Sequence, residues 1–343
     1  MTNYKKILER SNVVVAGGAG FIGSHLCDEL VKKNKVICID NFISGDEKNI
    51  DHLLQNPDFQ FIKHDINEPL DLEGLPELDK FRVQFQGVQE IYHLASPTSP
   101  KDFDNTKIDM ALTSSVGTRN MLDLALKYNA KFILTSSSVV YGARNSENKF
   151  FKEDFIGLVD HLSPRAAYDE GKKFAETLTR TYAEIHGIDA KIVRIFRTYG
   201  SRMKLNVGHM LPDFVSNALL DHDLVIYGDQ SFSSSFCHVS DIVQGIIKVM
   251  KSGETGPINL GSDLEYKIVD VAQKIIDMIG SKSKTIFKDP LMFMTPLGLP
   301  DISYAKDRLG WFPVVLMEEG IKEAIDYFKA HRAIVDSTSA FKQ

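Results

Sequence analysis

Short runs of apolar and β-branched residues alternate, over the first 200 residues, with segments whose apolar positions recur at helical spacing. This alternation predicts βαβ units around a parallel sheet. The pattern predicts strands at 12–16, 36–40, 59–63, 90–94, 131–136 and 190–196, and helices at 21–33, 108–128 and 167–186. Residues 70–89 have no clear period, so their structure is not assigned.

After about Tyr199 the elements become shorter and are separated by Gly, Pro and Ser, which favours a smaller C-terminal lobe. Helices are expected at 268–279 and 318–330, and 235–251 has the pattern of a strand-like piece that leads into a helix. We expect residues 1–200 to form the first domain, with 235–260 returning to it. Residues 201–343 are expected to form mainly a substrate-binding lobe.

The composition is that of an ordinary soluble enzyme. Lys and Arg number 40 against 46 Asp and Glu, and no basic block stands out, so nucleic acid is not an expected partner. The apolar stretch near the N-terminus is broken by glycines, so neither a signal peptide nor a membrane span is expected. Cys27, Cys38 and Cys237 are odd in number and far apart in sequence, which excludes a disulfide framework and favours a reducing cytoplasm.

A glycine-rich turn lies directly after the first predicted strand. Gly17, Gly20 and Gly23 permit a tight turn and a close backbone approach, and the helix that follows presents free N–H groups to a pyrophosphate. The second strand ends in Asp40, a suitable acceptor for two ribose hydroxyls. Because a carboxylate repels a 2′-phosphate and no arginine follows it, NAD is expected in preference to NADP. This turn predicts a Rossmann-type, doubly wound α/β fold with a smaller mixed α/β C-terminal lobe.

Tyr168 and Lys172 are four residues apart in a predicted helix, so they share a face. A neighbouring ammonium, together with a cationic nicotinamide, would lower the pKa of the tyrosine and make it a base for a hydroxyl proton. The serine-rich run 135–142 follows the fifth predicted strand, at the edge where ligands bind in open α/β sheets. One of its hydroxyls could bond the same substrate oxygen.

Several longer motifs carry a resemblance to a known family. They are GGAGFIGSHL, HDIN at 64–67, HLASPTSP at 93–100, SPRAAYDEGKKFAETL at 163–178, RIFRTYGSRM at 194–203, SFCHVSDIV at 235–243 and PDISYAKDRLGW at 300–311. Over nearly its whole length the chain resembles extended short-chain dehydrogenases/reductases, the NAD-dependent sugar epimerase/dehydratase family. Among the branches of that family it is most similar to UDP-glucuronate decarboxylases.

The resemblance implies a catalytic trio of Ser137, Tyr168 and Lys172. It implies NAD as the cofactor, a nucleotide sugar, expected to be UDP-linked, as the substrate, and a homodimer built through a four-helix bundle. The implied NAD contacts, in addition to Gly17, Gly23 and the catalytic Tyr168 and Lys172, are Gly20, Phe21, Ile22, Asp40, Asn41, Asp65, Ile66, Thr113 and Thr198, with Leu94, Ala95 and Ser96 as a wall beside the nicotinamide or the substrate.

The chain departs from the family pattern at substrate positions. Decarboxylases of this branch typically have Glu, Arg and Lys where this chain has Val139, Ser234 and Leu112. Dehydratases of the family typically carry an Asp-Glu pair at the two positions where this chain has Ser138 and Val139. Epimerisation needs only the trio and NAD, so by elimination we expect a 4-epimerase. Decarboxylation of UDP-glucuronate is the first alternative, and an NAD-binding protein without turnover is the second.

The expected substrate contacts are Ser138, Val139, Arg197, Arg202 and Ser234. Relatives hold the substrate pyrophosphate with two arginines, and the matching positions here are Ser234 and Gly298. Arg197 stands where an Asn is usual, which suggests that it restores an anion contact from another wall. The ten histidines show no metal-ligand spacing, so no metal is expected.

Overall fold

The computed structural model describes residues 10–98, 103–145, 147–205, 207–228, 230–289 and 296–340, and of 331–340 it describes the backbone only. The strands are β1 (Asn12–Ala16), β2 (Lys35–Asp40), β3 (Phe59–Lys63), β4 (Glu90–His93), β5 (Lys131–Ser137), β6 (Phe150–Phe151), β7 (Ala190–Ile195), β8 (Thr198–Tyr199), β9 (Leu224–Tyr227), β10 (Ser233–Ser235), β11 (Cys237–His238), β12 (Pro257–Leu260), β13 (Glu265–Lys267), β14 (Thr285–Lys288) and β15 (Leu299–Pro300). The helices are α1 (Phe21–Val31), α2 (Val83–Gln86), α3 (Phe103–Leu112), α4 (Thr118–Tyr128), α5 (Ala166–His186), α6 (Met210–Leu219), α7 (Val239–Lys251), α8 (Ile268–Ile279), α9 (Ser303–Leu309) and α10 (Met317–Ala340).

A seven-stranded sheet in the order β12-β7-β5-β4-β1-β2-β3 forms the centre of the α/β fold. The pairs of β1 with β2 and β4, of β2 with β3, of β4 with β5 and of β12 with β7 are parallel. The predicted Rossmann-type sheet is confirmed, but the predicted count of six strands is one short. The additional strand is β12, four residues that begin with a proline and are too short to show a periodicity.

Contact clustering divides the chain into two compact units. The first unit comprises the chain up to Ser96, Leu112–Thr135 and Phe174–Lys191. Its central strand β1 is completely buried, and α1 packs on β1 and β2. The thiols of Cys27 on α1 and Cys38 on β2 form a hydrogen bond, which together with burial raises the pKa of Cys38 well above its usual range.

The predicted helix 108–128 is interrupted. A π-helical turn, Thr113–Gly117, separates α3 from α4, and its sequence TSSVG combines β-branched, hydroxyl and glycine residues of low helix propensity. The hydroxyl of Thr118 donates to the carbonyl oxygen of Thr113 at 3.2 Å, which holds the widened turn. Such π turns often occur at functional positions.

Residues 70–89 form two 3₁₀ segments, Leu72–Gly74 and Pro76–Phe81, followed by α2. This segment is tied to the start of β1, because the side-chain amide of Asn12 donates to the carbonyl oxygens of Phe81 at 3.0 Å and of Gly87 at 2.8 Å. The polar residue at the start of an apolar strand therefore has a structural role.

The second unit comprises Pro97–Ala111, Ser136–Lys173 and the chain from Ile192 onward. An apolar core of this unit lies among α6, α8 and α10 and includes Phe214, Ile275 and Phe328. α7 and α9 pack on β12. The predicted helix at 268–279 matches α8, whereas α10 extends beyond the predicted range 318–330.

Candidate active site

The glycine turn between β1 and α1 leaves no space for side chains. Gly17 has a φ of +81°, and a Cβ there would lie 2.5 Å from the backbone nitrogen of Ala95. A Cβ on Gly23 would lie 2.1 Å from the carbonyl oxygen of Gly17. Gly20 is the N-cap of α1 and offers no side chain to cap it, so the first N–H groups of the helix are available to an anion such as a pyrophosphate.

Asp40 ends β2 and is held against this turn. Its Oδ2 accepts a hydrogen bond from the backbone N–H of Ala19 at 3.0 Å, and its Oδ1 accepts one from the N–H of Phe42 at 2.8 Å. Burial raises the pKa of the carboxyl group, and the backbone hydrogen bonds oppose that shift. Each carboxylate oxygen can accept a further hydrogen bond, as a ribose diol requires.

The other predicted NAD residues of the first unit lie on loops after its strands. The amide of Asn41 donates to Asp65 at 3.2 Å, and the backbone oxygen of Ile66 accepts from the amide of Asn120 at 2.8 Å. Phe21 and Ile22 begin α1, Thr113 begins the π turn and is buried, and Leu94, Ala95 and Ser96 follow β4.

Ser96 Oγ is buried and lacks a hydrogen-bond partner within the described parts of the chain. An orphaned hydroxyl and a turn in which a Cβ cannot fit are features that a bound dinucleotide explains, so the residues present fit NAD.

Asp40→Asn is expected to weaken NAD binding about tenfold, because a charged acceptor becomes a neutral amide with a single acceptor oxygen. Binding of NADP should weaken less or improve, since the repulsion of a 2′-phosphate is removed. Titration of the purified variant with each cofactor measures both effects, and Asp51→Ala, at an exposed acid in the same region, is the control. An unchanged ratio of the two affinities would contradict the role assigned to Asp40.

The predicted catalytic trio lies in the second unit. Ser137 ends β5 in an extended conformation, and its Oγ accepts a hydrogen bond from the N–H of Val139 at 3.4 Å, which caps a 3₁₀ turn, Ser138–Tyr141. The same side chain forms a hydrogen bond with the phenol of Tyr168. Lys172 is buried, and its Nζ lies 5.8 Å from the ring centroid of Tyr168. The structure therefore brings the three residues together.

Burial raises the pKa of Tyr168, whereas the hydrogen bond from Ser137 and the charge of Arg165 lower it, and Asp169 raises it. The sequence-based expectation assigned the lowering to Lys172 and nicotinamide, and it missed Arg165. Arg165 lies just before α5, and the N–H of Tyr168 donates to its carbonyl oxygen at 2.9 Å. Arg165 is three residues before Tyr168 at the start of a predicted helix, so the two share a helix face. This spacing could have identified Arg165 from the sequence.

The predicted substrate residues have the following positions. Ser138 and Val139 are buried in the 3₁₀ turn, and Ser234 is buried on β10. Arg202 has a φ of +65°. Thr198, which was predicted to contact NAD, begins β8 and donates to the carbonyl oxygen of Phe196 at 2.9 Å.

Gly298, the other position matched to a pyrophosphate arginine, faces Phe151. A Cβ there would lie 2.0 Å from the ring, so this position cannot carry an arginine in this fold.

A glycine turn for a dinucleotide and a Ser-Tyr-Lys trio define the class of NAD-dependent short-chain dehydrogenases/reductases. Residues 13–261 match the NAD dependent epimerase/dehydratase family, and the chain belongs to that family, with NAD as its cofactor. In the described ranges of the chain, each helix is too short or too polar to cross a membrane.

Curated relatives and solved structures extend this result. UDP-glucuronic acid decarboxylase 1 of Danio rerio is 39% identical over 93% of this chain and 73% of its own length. UDP-glucuronic acid decarboxylase 3 of Arabidopsis thaliana is 37% identical over 94% of this chain and 90% of its own. The structure of UDP-glucuronic acid 4-epimerase from Bacillus cereus, in complex with UDP-glucuronic acid and NAD, superposes with a TM-score of 0.80 at 26% identity, and the match covers 93% of this chain and 99% of that one.

Proposed function

We propose that this chain converts UDP-glucuronate into UDP-xylose and carbon dioxide and retains its NAD through the cycle. The observation that carries the proposal is the similarity to UDP-glucuronic acid decarboxylases over more than nine-tenths of the chain. The coarser statement, NAD-dependent modification of a nucleotide sugar, holds across these relatives and neighbours. The expectation of a 4-epimerase is not supported by the curated relatives, and the decarboxylase alternative fits them better.

The trio supplies the proton chemistry. Tyr168, as the phenolate, removes the proton of the C4 hydroxyl, Ser137 holds the same oxygen by a hydrogen bond, and the cations of Lys172 and Arg165 stabilise the phenolate. NAD, held by the glycine turn and Asp40, would supply the acceptor and later the donor of the C4 hydride. The return of the proton from Tyr168 to O4 completes the cycle.

Loss of carbon dioxide does not require an acid or a base at the position of Val139. The oxidised sugar is a β-keto acid, so when the bond between C5 and the carboxylate breaks, its electron pair moves into the C4 carbonyl and forms an enolate. A proton from solvent then adds to C5. With the buried Val139 in place of the usual Glu, the site has no acid or base at this position. The C4 ketone is still present to accept the electron pair.

A 4-epimerase is the second candidate, because the similar Bacillus cereus structure has that activity and because Val139 and Ser234 lack the carboxylate and the guanidinium expected of a decarboxylase. Epimerisation would return the hydride to the other face of the C4 ketone. The carboxylate, if present, would stay on the sugar.

Proton NMR of the anomeric signals distinguishes the candidates. The purified protein is incubated separately with UDP-glucuronate, UDP-glucose and UDP-N-acetylglucosamine, with NAD in catalytic amount. UDP-xylose from the first substrate and no change in the others is the expected result. A 4-epimer that retains its carboxylate would overturn the proposal in favour of the second candidate, and no turnover of any substrate would favour an NAD-binding protein without activity.

The homodimer and the cytoplasmic location stay predictions. Ile108 on α3 and Ile185 on α5, the helices expected to pair, have exposed fractions of 74% and 70%. Single exposed apolar side chains do not by themselves mark an interface, so the homodimer is not tested by them.

A further inference from the structure

Arg197 is a half-buried cation with an incomplete set of hydrogen-bond partners. It lies between β7 and β8, and its carbonyl oxygen accepts a hydrogen bond from the N–H of Cys237 at 3.0 Å, which fixes its backbone against β11. Its guanidinium lies 5.9 Å from the ring centroid of Phe236. Its Nε is buried and has no hydrogen-bond acceptor among the residues that the structure describes. A buried charged donor without an acceptor is costly, so a structure keeps one where a ligand supplies the acceptor.

Other arginines lie near this guanidinium. The side chain of Arg144 is held against β10, because its Nη2 donates to the carbonyl oxygen of Ser233 at 2.8 Å. Its Nη1 lies 3.6 Å from a carboxylate oxygen of Glu265. The charges of Arg165 and Arg144, together with burial, lower the pKa of Arg197 to about 10. The guanidinium therefore sits in a positive environment that favours a bound anion.

The carboxylates that contact Arg165 and Arg144 are already engaged. Asp169 accepts from Arg165 at 3.1 Å and 3.2 Å. Glu265 forms an ion pair with Lys149 at 2.5 Å and accepts from the hydroxyl of Ser233 at 2.5 Å. Both carboxylates therefore have their own cationic or hydroxyl partners, and among the described residues neither forms an ion pair with Arg197.

The N-terminus of α6 adds to this preference. His209 is its N-cap, and burial together with the charge of Arg197 lowers the pKa of His209 to about 4, so the imidazole is neutral at pH 7. A neutral imidazole can donate one hydrogen bond without adding to the repulsion. α6 has ten residues, and its N-terminal partial charge favours an anion, an effect that Asp213 in its first turn partly offsets.

The cluster is linked to the catalytic tyrosine. The charge of Arg165 acts on the phenol of Tyr168 and also on Arg197. Arg165 is held at the start of α5 by its ion pair with Asp169 at 3.1 Å, which keeps its charge beside the phenol. An oxyanion bound at Arg197 would belong to the molecule whose hydroxyl reacts at Tyr168.

We propose that Arg197 binds an oxyanion of the nucleotide sugar, either the sugar carboxylate or a phosphate of the diphosphate. This inference rests on the proposed function for its substrate class. It assigns the contact to a residue of the short connection between β7 and β8.

The test measures binding without turnover. In a Tyr168→Phe background, which cannot remove the hydroxyl proton, the protein with Arg197 intact and the protein with Arg197→Ala are titrated calorimetrically with UDP-glucuronate and with UDP-xylose in the presence of NAD. The second ligand has the diphosphate but no carboxylate. We expect Arg197→Ala to weaken UDP-glucuronate binding between about tenfold and a hundredfold, the range typical of a charged hydrogen bond.

The two ligands distinguish the source of the oxyanion. An equal loss for both identifies the diphosphate, and a loss confined to UDP-glucuronate identifies the carboxylate. Unchanged affinity for both ligands overturns the proposal. Because the readout is binding, an enzyme that proves to be an epimerase would refute the proposed reaction and leave this inference standing.

Two further variants keep the test decisive. Arg197→Lys retains the charge and loses the planar fork, so it should fold even where Arg197→Ala does not, and it should show an intermediate loss. Arg180→Ala removes an exposed arginine that pairs with Glu184 on α5, and it should bind both ligands as the parent does. A loss in Arg180→Ala equal to that in Arg197→Ala would show a nonspecific charge effect and overturn the proposal.

Discussion

Tyr168→Phe is expected to lower kcat about a thousandfold, the size typical of a lost general base, while NAD binding is unchanged. Phenylalanine keeps the ring that packs near Lys172 and removes only the hydroxyl that bonds Ser137. The anomeric NMR assay gives the rate, and an NAD titration confirms that the cofactor site is intact. Tyr182→Phe is the matched control on the same helix, because Tyr182 bonds Asp123 at the surface. Activity within tenfold of the unmodified chain would contradict the role of Tyr168.

The pH dependence of kcat is a second test of Tyr168. Because burial raises the pKa of Tyr168, the rate should rise with pH as the phenol loses its proton. Ser137→Ala removes a hydrogen bond that lowers this pKa, so the rise should move to higher pH in that variant. A rise that stays in place, or moves to lower pH, would show that Ser137 does not act on the phenol.

Gly23→Ala is expected to weaken NAD binding about a hundredfold or to prevent folding of the turn. The added methyl would lie 2.1 Å from the carbonyl oxygen of Gly17 and 2.9 Å from the Cα of Gly18, so the backbone of the glycine turn must shift. Overpacking of this kind costs about 1–3 kcal/mol, and the shift also removes the N–H groups from a phosphate.

Cofactor titration and thermal unfolding measure the outcome for Gly23→Ala. Gly253→Ala is the control, because a Cβ at Gly253 meets nothing within 4 Å. Equal NAD affinity in the two variants would mean that the glycine turn can accept a methyl group at position 23 without a shift of its backbone.

The sequence predicted the first unit well where its signals were strong. The predicted ranges for β1 and β3 match the observed strands, and α1 begins at Phe21 as predicted, because a buried apolar run and the glycines mark these bounds. Two features were missed for physical reasons. β12 is too short for a period, and the interruption at Thr113–Gly117 keeps nearly helical spacing, so the pattern of apolar residues does not reveal it.

The site was predicted unevenly. Motifs placed Ser137, Tyr168 and Lys172 together, but they did not show that Arg165 acts on the phenol, since that depends on the geometry at the start of α5. The expectation of an epimerase came from absent residues at Val139 and Ser234. An absent side chain shows which contact is lost, but it does not show whether another residue replaces it.

The three buried thiols give this chain an internal measure of its own opening. Cys27, Cys38 and Cys237 are all buried, so a thiol reagent reaches them only when the surrounding structure opens. Cys27 and Cys38 belong to the first unit, and Cys237 belongs to the second. Separate alkylation rates, followed by peptide mass spectrometry, would therefore report the opening free energy of each unit without any engineered probe, and NAD should slow the first pair by the amount that it stabilises the glycine turn.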